Sequence, residues 1–149
     1  MFGNFSDGDN GSWAFGPGRP PHVDGLCTGD ARLLWALRRL ALMKPIGAAR
    51  NHAVHIALQQ DFGDAGLGLE HLLRCWLVGL SRLATRRLAF GEPACPLLLP
   101  DEARLLRVLH QSRCDASVAA AALSALAGAD AAAKLLPLFG AVDSLMQTA

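Results

Sequence analysis

The run LGLEHLLRCWLVGLSRLATRRLAF, residues 67–90, decides the fold class. Leu69, Leu72, Leu73, Trp76, Leu80 and Leu83 recur at intervals of three and four, the spacing that puts side chains on one face of an α-helix. The apolar arc is wide, so the run reads as a central helix contacted on several sides. Its most apolar part, residues 72–83, carries Arg74 and Arg82 and is too short to span a bilayer.

The same pattern extends in both directions. Residues 30–44 form a first helix, capped by Thr28 or Asp30 and stopped by Pro45, with Leu33, Leu34, Leu37, Leu40 and Ala41 as its buried stripe. Residues 47–61 form a second, ending before the glycines at 63, 66 and 68. Beyond Gly91 and the prolines at 93 and 96, Pro100 takes the first position of a fourth helix reaching about residue 110. Asp101 and Glu102 there complement the helix dipole. Asp115 caps a fifth helix over 116–127, and a sixth follows Asp130 to about 146, kinked near Pro137. Only eleven residues of the chain are Val, Ile or Thr, which argues against a sheet. The expected fold is all-α: a compact bundle of five to six helices over residues 30–149, behind an extended Gly/Pro-rich arm over residues 1–29.

That arm holds seven of the fifteen glycines and three of the eight prolines, which break helix and strand alike. Phe2, Phe5, Trp13 and Phe15 would be wasted in water, so the arm is expected to lie on its own body or on a neighbour. The whole chain is 52% hydrophobic and only 18% charged, too few charges to cover a monomer well, which points to self-association or a protein partner. A net charge of +1 gives no global field, and no helix-turn-helix pattern is present, so nucleic acid is not an expected partner. The first 25 residues lack a signal-peptide pattern and the four cysteines are scattered, so free thiols in the cytoplasm are expected.

Chemistry-bearing residues are few. His71/Cys75 and His110/Cys114 are each spaced four apart on a helix, so each pair points one way. If the pairs face one another they supply a Cys2His2 set for zinc, or ligands for haem, with His52 and His55 as substitutes. Against this, no Cys-x2–4-Cys knuckle is present and Cys75 lies in the leucine-rich helix, so packing is the preferred reading and no cofactor is expected. Asn51, His52 and His55, continued by Gln59, line one side of the second helix as a packing network or the floor of a small-molecule pocket. Neither imidazole has a carboxylate nearby in sequence; Asp61 and Glu70 reach them only through the fold. Arg32, Trp35 and Arg39 share a face of the first helix and suggest a rim or interface. Two basic groups stand out: Arg32, Arg38, Arg39, Lys44 and Arg50 in a stretch without acids, and Arg82, Arg86 and Arg87. They are read as solvated faces, or, if convergent, as a patch for phosphates or an acidic partner. Cys95-Pro96 is a turn with a packed cysteine rather than a haem-responsive or reactive thiol, since Glu92 and Asp101 oppose thiolate formation. Phosphate loops and nucleophile elbows are absent, so the reading is a non-enzymatic interaction, assembly or regulatory protein.

Three stretches carry a resemblance: Leu33-Leu34-Trp35-Ala36-Leu37-Arg38-Arg39-Leu40-Ala41, the His-containing second helix ending Asp61-Phe62-Gly63, and Ala94-Cys95-Pro96 followed by Pro100-Asp101-Glu102-Ala103. Together they resemble a family of small, uncharacterised helical proteins of alphaproteobacteria over about half of the chain. Members of that family carry several cysteines at the turn where this chain has only Cys95, a departure that weighs against a metal there. The resemblance implies a bacterial source and a compact helical body, and brings no activity with it.

Overall fold

A computed structural model describes residues 21–44 and 51–148 of the chain. Phe2, Phe5, Trp13 and Phe15 lie outside the described residues. The described part is all-α, as the periodicity predicts. Six helices run in the order α1 (Thr28–Ala41), α2 (His52–Phe62), α3 (Ala65–Leu83), α4 (Pro100–Cys114), α5 (Ala116–Ala127) and α6 (Ala129–Thr148). A single 3-10 turn at Val23–Gly25 precedes them, and the one β-type feature among the described residues is an isolated antiparallel bridge between His22 and Leu97.

Helix α3 is contacted on several sides, as its wide apolar arc predicts, by α6, α2 and α1; α6 likewise has three neighbours, α3, α5 and α4, and α4 packs on α5. The leucines of α3 enter one large core, in which Trp76 stacks on Phe139 of α6 with ring centroids 4.1 Å apart and planes 19° from parallel. A smaller cluster of Leu34, Leu98, Ala103 and Leu106 joins α1 to α4, and Val23 and Leu26 pack against it. The last residues expected to belong to the arm are thus part of the body. Val23 N donates to Pro96 O and Leu98 N to Pro21 O, each at 2.9 Å. Gly66 makes the α2–α3 crossing possible, because a Cβ there would stand 2.6 Å from the Leu58 carbonyl oxygen.

Several boundaries differ from the sequence reading for identifiable reasons. Helix α1 begins at Thr28 with Cys27 at its N-cap, so neither Thr28 nor Asp30 caps it; Asp30 sits in the first turn and bonds His110 instead. Asn51 is the N-cap of α2, accepting from Val54 N at 3.1 Å. Helix α4 continues to Cys114, and α6 runs on through Pro137 to Thr148. The largest correction is at α3, which stops at Leu83 rather than near residue 90. Ala84 turns extended, and Thr85 N donates to Ala127 O at 2.9 Å, so the chain leaves the helix axis for the end of α5.

Candidate functional site

The irregular segment 84–99 takes its shape from side chains outside it. Arg38 of α1 is 2% exposed, and all five of its N–H donors are engaged. Its Nε and Nη2 bond both oxygens of Glu102 at 2.8 and 2.7 Å. Its remaining donors reach the carbonyl oxygens of Glu92, Cys95 and Leu97 at 3.3, 2.7 and 2.7 Å. Glu102 in turn accepts from Gly91 N at 2.8 Å and Leu99 N at 2.9 Å, so its four acceptor sites are filled. The bond to Glu102 raises the pKa of Arg38 further above its ordinary value, against the pull of burial. Gly91 has to be glycine for this contact: a Cβ would stand 2.9 Å from Arg38 Nη2.

Asp101 holds the other end of the segment. It accepts a fork from Arg86 at 2.5 and 3.1 Å and the Ala89 amide at 2.8 Å, with Arg104 at 3.3 Å. Burial alone would raise the carboxyl pKa, but the bonds from Arg86 and Ala89 and the charges of Arg86 and Arg104 together hold it below the ordinary value. Arg86 therefore belongs to the ion pair with Asp101 and not to the end of α3.

Held in this way, residues 84–91 face the ends of α1 and α3 across a cleft of about 880 Å³. Leu77 and Leu80 form its buried wall, and Leu88 and Phe90 line it from the irregular segment. Leu42, 60% exposed, stands at its lip. Lys44 and Arg87 are both exposed, and among the described residues neither has a carboxylate partner. No carboxylate lines the cleft among those residues.

The residues nominated on α1 come together. Trp35 is half-buried, with Arg32 Cζ 4.7 Å and Arg39 Cζ 4.0 Å from its ring centroid. Helical spacing sets this stack, since Arg32 and Arg39 lie one turn before and after Trp35. Arg32 also meets Asp61 of α2 at 2.6 Å. Arg39 has no carboxylate among the described residues, and burial followed by the charge of Arg32 lowers its pKa.

The histidines and cysteines are distributed rather than gathered. His52 is exposed at the start of α2, and the Asn51 side-chain oxygen accepts the Val54 amide as the N-cap. His55 Nδ1 lies 3.0 Å from Glu70 Oε1, a carboxylate that the antiparallel α2–α3 pairing brings to it. His71 Nε2 and Cys75 Sγ are 3.7 Å apart on the outer side of α3, as their spacing implies. His110 faces Asp30, and Cys114 is exposed one turn on. The two His/Cys pairs do not combine: α3 and α4 both pack on α6 but not closely on one another, and no metal-holding group of three or more His, Cys, Asp or Glu side chains occurs among the described residues. Cys95 is half-buried, its thiol donating to Leu97 O at 3.6 Å.

The contact between His110 and Asp30 is expected to make stability pH-dependent. His110 Nε2 lies 2.6 Å from Oδ2 of the buried Asp30. That bond raises the His110 pKa above its ordinary 6.5; burial opposes it, Asp30 and Asp143 add to it, and Arg113 subtracts. A folded-state value above the unfolded one means the stabilisation is complete below about pH 6.5 and is lost as pH rises through the folded value. Urea unfolding of the wild type is therefore expected to show a component that declines across that window and disappears in His110→Gln. A stability difference between the two proteins that stays constant with pH would refute this.

Nothing local in the sequence marks Arg38, Asp101, Glu102 and Arg86 as a unit. The signal available was indirect: five cations over residues 31–60 without an acid imply partners elsewhere, and Asp101-Glu102 follow the irregular segment directly. Among the described residues no helix is long and apolar enough to cross a membrane. Comparison with protein-family models, with curated proteins and with solved structures finds no match to this chain.

Proposed function

We propose that this chain is a non-enzymatic helical interaction protein that associates with copies of itself through the Trp35 face of α1. The observation that carries this reading is the stack of Arg32 and Arg39 on a half-buried Trp35. Tryptophan and arginine are enriched among the residues that dominate the energetics of protein contacts. The stack holds three such groups in place before any partner arrives, which lowers the ordering cost of association. Arg39, lacking an acid on its own chain among the described residues, favours a partner surface that offers one. The scarcity of charge, 18% of residues, supports the same reading. The arm aromatics Phe2, Phe5, Trp13 and Phe15 belong to this proposal as further docking residues.

Light scattering on the full chain tests it. A species larger than the monomer is expected at tens of micromolar, and Trp35→Ala or Arg39→Glu is expected to return it to the monomer with helicity unchanged. A wild-type chain that remains monomeric over that range would refute self-association.

A further inference from the structure

We propose that the cleft between the ends of α1 and α3 and residues 84–91 is a binding site for a long-chain carboxylate. The alkyl chain lies along Leu77, Leu80, Leu88 and Phe90, and the carboxylate meets Lys44 and Arg87. None of these residues belongs to the Trp35 stack, so the proposal does not depend on self-association through that face.

The volume of the cleft, about 880 Å³, lies within the range of small-molecule sites. An apolar wall alone would suit any greasy occupant. The charges narrow the choice. Four cations line the cleft and no carboxylate does, among the described residues. Two of them, Arg38 and Arg86, are neutralised by Glu102 and Asp101, as their bond lengths show. Lys44 and Arg87 have no such partner among the described residues and are exposed, so they remain available to an anion. A cationic amphiphile would be repelled by the same pair. A bare inorganic anion would meet Lys44 and Arg87 but leave the partly exposed Leu88 and Phe90 in water. Of the six polar side chains in the lining, Arg38 and Arg86 are taken up by Glu102 and Asp101, which leaves Ser81 and Thr85 beside the two available cations. An amphiphile with one anionic end satisfies both halves of the lining.

The wall also has a reason to be preformed. Residues 84–91 are tied to α4 through Asp101 and Glu102, whose bonds to Ala89 N and Gly91 N are each 2.8 Å. A ligand entering here would therefore meet ordered side chains, and its binding would not have to fund the folding of a loop.

Titration calorimetry of the full chain with octanoate, decanoate and laurate, each below its micelle concentration, tests the site. Affinity is expected to rise about fourfold per methylene buried. Dodecyltrimethylammonium, with the same tail and the opposite head group, is expected not to compete. Lys44→Glu and Arg87→Glu, both at exposed positions, are each expected to weaken laurate by on the order of tenfold. The head-group and chain-length comparisons use the wild type alone, so a variant that folds poorly does not spoil the test. Equal binding of the two head groups would overturn the proposal, as would laurate affinity unchanged in both variants or no heat at about millimolar laurate. If a second copy of the chain covers the cleft instead, laurate gives no heat and light scattering shows a dimer that Lys44→Glu and Arg87→Glu break; that result also overturns it.

Discussion

Replacing Glu102 by glutamine is expected to lower the unfolding free energy by about 3–5 kcal/mol, the cost of leaving one member of a buried ion pair without its counter-charge. Arg38 and Glu102 have side chains 2% and 0% exposed, so water cannot substitute for the lost carboxylate. In a chain of this size the unfolding midpoint should fall by about 2–4 °C for each kcal/mol. The double replacement Arg38→Met with Glu102→Leu separates two views of the pair. Where a buried ion pair serves only itself, hydrophobic replacements of similar volume are often neutral. Here Arg38 also satisfies three carbonyl oxygens, and Glu102 two backbone amides. Those five backbone groups would lose their partners, so the double variant is expected to remain destabilised. Urea denaturation decides it, and a double variant as stable as the wild type would show that the backbone bonds contribute little.

Truncating Trp76 to alanine is expected to cost about 3–5 kcal/mol, through lost burial and the cavity left behind. Trp76 and Phe139 are both fully buried and stacked, so they share that cavity. The double variant with Phe139→Ala should therefore cost less than the sum of the two single changes. Trp76→Phe offers a sharper comparison. The indole Nε1 is buried and has no hydrogen-bond partner among the described residues, so phenylalanine removes an unsatisfied donor along with some volume. It should be much milder than alanine, and thermal unfolding of the four proteins gives the ranking. A Trp76→Phe cost equal to that of alanine would mean that shape outweighs the unpaired N–H.

The helices were legible in the sequence wherever the chain carries its own start and stop signals. Helix α5 runs over the expected residues because Asp115 caps it through Ser117 N and Val118 N, and Gly128 ends it at a backbone φ of 100°. Residues 84–90 carry a helical pattern without forming helix, because Leu, Ala and Arg are good helix formers and the apolar spacing continues past Leu83. What ends α3 is tertiary: Asp101 takes the Arg86 guanidinium and the Ala89 amide, and a local window cannot show a partner 12 or 15 residues away. The Arg32–Trp35–Arg39 unit was legible, since helical spacing alone brings those groups together. The contact between His55 and Glu70 was visible only as a possibility of the fold, because the turn at Gly63 sets how α3 returns along α2. The failure of His71/Cys75 and His110/Cys114 to converge could not be read at all, because spacing along a helix says nothing about which helices become neighbours.

The bonds from Arg38 to residues 92–102 span 54 to 64 positions along the chain. Closing so long a loop carries a large entropic cost before any contact repays it. The order of events in folding follows from this. Helices α5 and α6 are adjacent in sequence and can pair early, and Asp101 and Glu102 reach the segment locally, whereas the carbonyls of Glu92, Cys95 and Leu97 gain their partner only when α1 arrives. Residues 84–99, α1 and the first turn of α4 therefore form and come apart as one cooperative unit, although they are far apart along the chain.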